Sequence, residues 1–323
     1  MLLIEAQRRA AAVLARHLPE AAAPVVLNAR NPEQESHVFR AALAPHGSVI
    51  VKVAAPGRLA AQFDRLSAVH PQMQDGLYRV PRPILHDAAL GVMLMEDAWG
   101  RSGESLWQEG PSGIARVLAA AGGWLGRYHR LSAAEAGFNP DPHLNWLSKL
   151  LDSPRPPDQP IPARPALEAH LPGLQAMADL ARNQPVLRCV THRDFHLGNL
   201  LVRKHGRTYG IDMENTRRDE GLRDLLHLLC DAARLAADPA EALAAGPALC
   251  RAYGRSPAAE PVRRFFQAAV ALTLWAGLSG RQGALAPRAA QKLLLAQRLL
   301  ESGDILRLPP ENGTEPANPP QAD

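Results

Sequence analysis

Residues 1–18, "MLLIEAQRRAAAVLARHL", repeat their apolar positions at helical spacing and predict an amphipathic helix. Short apolar runs broken by turn residues follow. "PVVLNARNPEQESHVFRAAL" and "SVIVKVA" predict strands, with Asn31-Pro32 on one side and Pro45-His46-Gly47 on the other as turns. "GRLAAQFDRLSAVH" predicts a short helix ending before Pro71, and "VPRPILHDAALGVMLMEDA" a strand pair turning near Asp87. Residues 98–112 are rich in Gly and Ser and predict a connector. From there the period becomes helical: in "GIARVLAAAGGWLGRYHRL", Ile114, Val117, Leu118, Ala121, Leu125, Tyr128 and Leu131 fall near one stripe. Residues 153–165 hold six prolines and cannot be a helix interior. Helix resumes in "LEAHLPGLQAMADLAR", with a break at Pro172, and continues in "LRDLLHLLCDAARLAA", "AEALAAGPALCRAYG", "PVRRFFQAAVALTLWAGLSG" and "PRAAQKLLLAQRLLES". The pattern predicts an α+β chain: a small β-rich part (1–97), a larger helical part (98–308) and a disordered Pro/Asn/Glu-rich tail (309–323).

Composition narrows the function only a little. Of 323 residues, 46% are hydrophobic and 21% charged, the balance of a soluble globular protein. Net charge is +4, mild enough to suit an anionic ligand. Aromatics are 5% and no Lys/Arg block is interleaved with them, so a nucleic-acid partner is not expected. Cys189, Cys230 and Cys250 lack metal-ligand spacing and sit among apolar residues, as buried thiols of a reducing compartment do. Glu5, Arg8 and Arg9 break any signal-peptide core, and no run approaches the ~18 apolar residues of a membrane span. The expectation is a cytoplasmic protein without a membrane partner.

One island interrupts the helices. "THRDFHLGNLL" (191–201) packs two histidines, an arginine, an aspartate and an asparagine between apolar residues. "NLLVRKHGRTYGIDME" then predicts strand, turn at Lys204-His205-Gly206, and strand ending at Asp212. A hairpin brings its ends together, so Asp194, Asn199 and Asp212 converge. Two oxygen donors, Asn199 and Asp212, suit Mg²⁺, which keeps positions open for water and phosphate oxygens. Asp194 is left to accept the proton of a hydroxyl. His192-Arg193-Asp194 and Asn199 match the H-R-D-x-x-x-x-N spacing of phosphoryl transfer.

With those residues, the chain resembles the aminoglycoside phosphotransferase / choline kinase-like family, small-molecule kinases with the two-lobe protein-kinase-like fold. The specific part is 191–228, where "GIDMENTRRDEGLRDLLHLL" is similar to the family's metal aspartate and following helix. The resemblance implies ATP and Mg²⁺ as cofactors, Asp194 as catalytic base, Asn199 and Asp212 as metal ligands, and Asp224 as a brace of the loop. It also implies that Lys52, the only charge in "VIVKVA", meets the ATP phosphates, and that Glu96, Asp97 and Ala98 form the hinge whose backbone meets adenine. Two positions depart from the family pattern. The acid that pairs with the lysine falls on Gln62, with Asp64 or another acid as a substitute. The nucleotide-covering loop near "ARNPEQESHVFRA" has no glycine. Of the other histidines, His192 is expected to bond backbone, His196 to orient locally or face solvent, and His129 to pack or bond the loop. Arg193 is expected to contact phosphate or to form a structural salt bridge.

The expected partner is a small-molecule hydroxyl acceptor. No A-P-E segment follows Asp212, so a protein substrate is disfavoured. Residues 251–310 hold nine Arg/Lys against three Asp/Glu, which favours a neutral or anionic sugar or alcohol over a polycationic aminoglycoside. The competing readings are a nucleotide-binding pseudokinase, to which Gln62 and the glycine-free loop lend weight, an aminoglycoside-modifying kinase, and a metallohydrolase built on His192, Asp194, His196 and Asp212.

Overall fold

The computed structural model describes residues 1–27, 35–45, 47–280 and 285–308. The tail from 309 and the first part of the expected nucleotide-covering loop (29–34 of 29–41) lie outside the described residues.

Helix α1 (Leu3–His17) turns Ala6, Ala10, Val13 and Leu14 to one side, the spacing of a single helical face. That face packs on a five-stranded antiparallel sheet made by β1 (Val25–Val26), β2 (Ser36–Ala42), β3 (Ser48–Ala54), β5 (Pro83–Asp87) and β6 (Val92–Glu96), in the order β1-β2-β3-β6-β5. Strand period sorts its residues. Phe39, Ala41, Val49, Val51, Val53, Val92 and Leu94 join α1 in one core. The alternate residues point the other way: Ala54, Met93 and Met95 enter the larger core, while Val38, Arg40, Ile50 and Lys52 line a cleft. The register sets Lys52 between Val38 and Met93. The turn expected near Asp87 is closed by the Leu90 amide donating to Asp87 Oδ1 at 2.9 Å.

Helix α2 (Ala60–Met73) runs through Pro71 rather than stopping before it. Pro71 sits two residues from the end, so it disturbs only the last turn. Val69 and Met73 are fully buried, and their packing outweighs that disturbance. β4 (Tyr78–Arg79) follows it.

The expected connector is structured. β7 (Arg101–Ser102) leads into α3 (Gly103–Trp107), where Ser102 Oγ caps the Ser105 amide at 3.1 Å and Leu106 and Trp107 are buried. Helix α4 (Pro111–Arg130) buries Val117, Leu118, Ala121, Leu125 and Tyr128, the stripe read from the sequence. Then come β8 (Ala134–Gly137), α5 (Asp141–Asp152), α6 (Arg164–Glu168) and α7 (Leu171–Ala181), with Pro172 at the start of α7. β9 (Pro185–Val190), β10 (Leu200–Val202), β11 (Thr208–Gly210) and β12 (Arg218–Glu220) surround the motif. The single hairpin expected here, β10–β11, is present but joins β7 and β4 in a four-stranded sheet. A second sheet, β12-β9-β8, was not expected. Helices α8 (Leu222–Ala233), α9 (Pro239–Leu243), α10 (Gly246–Tyr253), α11 (Glu260–Ala276) and α12 (Pro287–Glu301) complete the helical part. The larger core runs without a break from α2 into these helices, so the sheet and the helical part are held by shared packing. No helix among the described residues is long and apolar enough to cross a membrane.

Candidate active site

The motif loop is suspended between β9 and β10 by alternation and by two acids. Phe195 and Leu197 are fully buried, so the residues that alternate with them, Asp194 and His196, turn outward. Phe195 stacks on Trp124 at 5.1 Å between ring centres. Gly210 in the facing strand gives that indole room: a Cβ there would lie 2.2 Å from it. Most amides around the turn find a partner. Asp224 accepts from His192 N (2.6 Å), Arg193 N (2.8 Å) and His129 Nε2 (2.9 Å). Asp231 accepts from Leu197 N at 2.9 Å, and the His196 amide reaches the Asp194 carbonyl at 3.1 Å. Asp224 and Asp231 are seven apart, two turns of α8, and so share one helix face toward the loop.

Asp224 is wholly buried. Burial pushes its carboxyl up, yet the His129 hydrogen bond and the loop amides hold it below the usual carboxylate range. His129 Nδ1 meets the Tyr253 hydroxyl at 3.0 Å, extending the chain of bonds into α10. His192 Nε2 lies 2.8 Å from the Ile211 carbonyl. A carbonyl only accepts, so Nε2 carries the proton. His192 thereby ties the loop to the residue before Asp212, and burial holds it below the usual imidazole range. Arg193 and Asp212 have φ of +67° and +66°, a left-handed backbone that costs side-chain-bearing residues roughly 1–3 kcal/mol. Arg193 is held there by Asp224, and its guanidinium lies 3.9 Å from Asp219, a structural pair.

A cleft of about 820 Å³ opens between the N-terminal sheet and the β10–β11 hairpin. Val38, Ile50 and Met95 line it from the sheet, Leu201 and Ile211 from the hairpin. Lys52, Gln62, Asn199 and Asp212 line it together with Glu96, Asp97 and Ala98. Glu96 pairs with Val49, three residues from Lys52, so the expected hinge and the lysine are about 10 Å apart along β3. Glu96 N is committed to the Arg82 carbonyl (2.8 Å), and Ala98 N bonds the Glu96 carbonyl at 3.1 Å. The Glu96 carboxylate accepts from Arg82 N and the Tyr209 hydroxyl. Asp97 is turned away to Arg40 and to Ser48 Oγ, both at 2.6 Å.

At the polar end, Lys52 Nζ lies 2.5 Å from Asp212 Oδ1 and 3.3 Å from Glu214. Gln62 Nε2 donates to the same Asp212 oxygen at 2.7 Å. Partial burial pushes the Asp212 carboxyl up, but Lys52 and Gln62 outweigh it and hold it below its ordinary value. Asp64 is exposed and does not stand in for the missing glutamate; Glu214 is the second acid on Lys52. Asn199 donates its Nδ2 to the Asp194 carbonyl at 2.9 Å, which leaves its Oδ1 as a free donor of lone pairs. Two hard oxygens, Asn199 Oδ1 and Asp212 Oδ2, on one cleft wall fit a magnesium ion that keeps further positions for phosphate and water. The metallohydrolase set does not assemble. His192 is buried and bonded to backbone, and no cluster of three or more His, Cys, Asp or Glu able to hold a metal occurs among the described residues.

Asp231 and Glu214 were missed in the sequence. The spacing Asp224–Asp231 on a helix facing the motif was the available signal for the first. Three of the nine basic residues of 251–310 are used in pairing: Arg263 with Asp304, Arg298 with Asp238 and Glu301, Arg264 with Glu260.

A family model described as "Phosphotransferase enzyme family" matches residues 26–266. A search of curated proteins finds no match. Among solved structures, a choline/ethanolamine kinase family protein from Mesorhizobium loti superposes with a TM-score of 0.59 at 18% identity, covering 94% of this chain and 97% of its own. The macrolide 2'-phosphotransferase MphH from Brachybacterium faecium gives 0.57 at 15% identity, with 91% and 98% covered. A putative fructosamine-3-kinase from Thermobifida fusca gives 0.53 at 18%, with 90% and 98% covered. Their likeness to this chain is one of fold.

Proposed function

The chain belongs to the phosphotransferase enzyme family, a small-molecule kinase family, and from that premise we propose that it moves the γ-phosphoryl group of ATP to a hydroxyl of a neutral or anionic sugar or alcohol. The observation that carries the proposal is the Asn199–Asp194 hydrogen bond. It ties the Asn199 side chain to the main chain of Asp194, so the proposed metal-binding oxygen and the proposed base share one turn, and Asn199 lines the cleft with Asp212 and Lys52.

Val38, Ile50 and Met95 on one side and Leu201 and Ile211 on the other would take the adenine ring, and the Ala98 amide would turn from Glu96 to meet it. Lys52 leaves Asp212 for the α/β-phosphates. Asn199 and Asp212 would hold Mg²⁺, which when bound would supply charge neutralisation for the transferred phosphoryl group. Asp194, 68% exposed, orients the acceptor hydroxyl and takes its proton as the new P–O bond forms. The anionic or neutral acceptor is supported by an arginine beside the loop. Asn215 bonds the Arg217 main chain at both N and O, and reaches the Thr191 carbonyl at 2.9 Å. The Arg217 guanidinium has no partner among the described residues and is exposed. ATP consumption measured across sugars, polyols, amino alcohols and aminoglycosides tests the proposal; no consumption above the acceptor-free rate with any hydroxyl compound would overturn it.

A further inference from the structure

The Asp194 carboxylate accepts no hydrogen bond among the described residues, and its exposure leaves its rotamer free. A base that must meet a hydroxyl in one geometry gains from being held. The His196 side chain stands beside it, with Nε2 3.9 Å from Asp194 Oδ2. That gap is about 1 Å beyond a hydrogen bond and closes by rotation of the exposed aspartate side chain.

The imidazole itself is not free. Its Nδ1 lies 3.0 Å from the Gly198 amide. A backbone N–H only donates, so Nδ1 is the acceptor and the proton of the neutral ring sits on Nε2, the nitrogen nearest Asp194. The same bond caps the turn Leu197–Asn199, and the Asn199 amide closes on the His196 carbonyl at 3.0 Å. The ring lies close against residue 198: a Cβ there would come within 2.9 Å of Cε1 and 3.0 Å of Nδ1. Glycine at 198 is what leaves the imidazole its place.

We propose that His196 is a positioning residue with two separable contacts: Nε2–H holds the Asp194 carboxylate toward the acceptor, and Nδ1 holds the turn that presents Asn199. The proposal rests on the assignment of Asp194 as base made above.

The two nitrogens can be tested apart. In His196→Asn, the amide oxygen takes the place of Nδ1 and keeps the Gly198 bond, while nothing reaches Asp194. In His196→Gln, the longer amide reaches the place of Nε2 and the cap is lost. Mg·ATP binding is measured by calorimetry, and kcat and KM with the acceptor that wild type uses best in the panel. His196→Asn is expected to lower kcat about 10- to 100-fold with unchanged Mg·ATP affinity. His196→Gln is expected to weaken Mg·ATP binding while keeping most of kcat at saturation. Gly198→Ala displaces the ring without altering its chemistry and should reproduce the loss in kcat, which covers the case of an asparagine variant that does not fold. A kcat for His196→Asn or Gly198→Ala within about twofold of wild type overturns the proposal. So does a parallel loss of binding and kcat in both histidine variants, the mark of a merely structural side chain. Asp194→Asn runs beside them: if it keeps wild-type turnover, the base assignment itself has failed, a result distinct from normal turnover in the His196 variants alone.

Discussion

Asp224 has three partners, and all three are donors: two loop amides and His129 Nε2. Asp224→Asn keeps the shape of the side chain and reverses half of its polarity. With its oxygen toward His192 N and His129, its NH₂ faces the Arg193 amide, donor against donor. A hydrogen bond to a charged group contributes about 1.5–3 kcal/mol and a neutral one about 1, while a buried donor left unpaired costs about 1–3. Two bonds weakened and one inverted give a loss of about 3–5 kcal/mol, the range found when one member of a buried ion pair is removed. For a chain of 323 residues this corresponds to a fall in Tm of roughly 4–7 °C. Because Asp224 N-terminally anchors the turn that carries Asp194, kcat should fall about 10- to 100-fold as well. The pH dependence checks the cause. The folded-state carboxyl of Asp224 lies below its ordinary value, so its contribution is fully present above the unfolded pKa of about 3.9 and is lost as pH falls through the folded value. The Tm difference between wild type and variant, followed by calorimetry from pH 7 downward, should therefore shrink below about pH 4. A variant melting within about 2 °C of wild type at pH 7, or a difference that stays constant down to pH 3, would refute the reasoning.

Asp194→Asn should keep Mg·ATP affinity near wild type while kcat falls ~10²–10⁴-fold, measured by calorimetry beside a coupled assay. Asp212→Asn should lose both Mg·ATP binding and turnover, and Lys52→Met should raise KM for ATP while leaving the magnesium requirement intact. ATP with Mg²⁺ should raise Tm more than ATP with EDTA, by the equivalent of about 2.7 kcal/mol at ~100 times Kd; equal values would remove the metal assignment. Kanamycin-like acceptors should turn over poorly beside a sugar or polyol, and a kcat/KM of about 10⁴ M⁻¹s⁻¹ or more on kanamycin would overturn the anionic-acceptor proposal.

Residue pattern made some of this molecule legible and not the rest, for physical reasons. The change from a β-rich to a helical part was readable because period 2 and period 3.6 differ over any long window. The convergence of Asn199 and Asp212 was readable because a hairpin with a Lys-His-Gly turn can only bring its ends together. What failed were short elements fixed by partners distant in sequence. β9, "PVLRCV", is a strand because β12 and β8 pair with it from 28 or more positions away. Helix α2 passes Pro71 because Met73 is drawn into a core built by later helices. Asp231 looked like one acid on an amphipathic helix until the loop amide of Leu197 met it. The hinge was placed at Glu96–Ala98, yet nothing in "VMLMEDA" shows that Asp97 turns to Arg40 and Ser48.

Gln62 was the residue that most favoured a pseudokinase, and the geometry removes that weight. A glutamate there would face Lys52, but it would also stand where the Gln62 amide meets Asp212 Oδ1 at 2.7 Å. Two carboxylates at that separation repel by on the order of 6 kcal/mol at an effective dielectric of 20, less with the 41% exposure of Asp212. Lys52 already has two acids, Asp212 at 2.5 Å and Glu214 at 3.3 Å, so a third would add more repulsion than pairing. Glutamine supplies a donor in place of that charge. The cost is visible: Gln62 Oε1 is buried without a partner among the described residues, a penalty of about 1–3 kcal/mol. The acid that balances the lysine has moved from α2 to the segment after Asp212. Glu214 is 58% exposed, so it can release Lys52 to a phosphate at little cost. A lysine held by acids it can exchange for a phosphate, in a chain that keeps Asp194 exposed to an acceptor, is the arrangement expected of a site that turns over rather than one that only retains nucleotide.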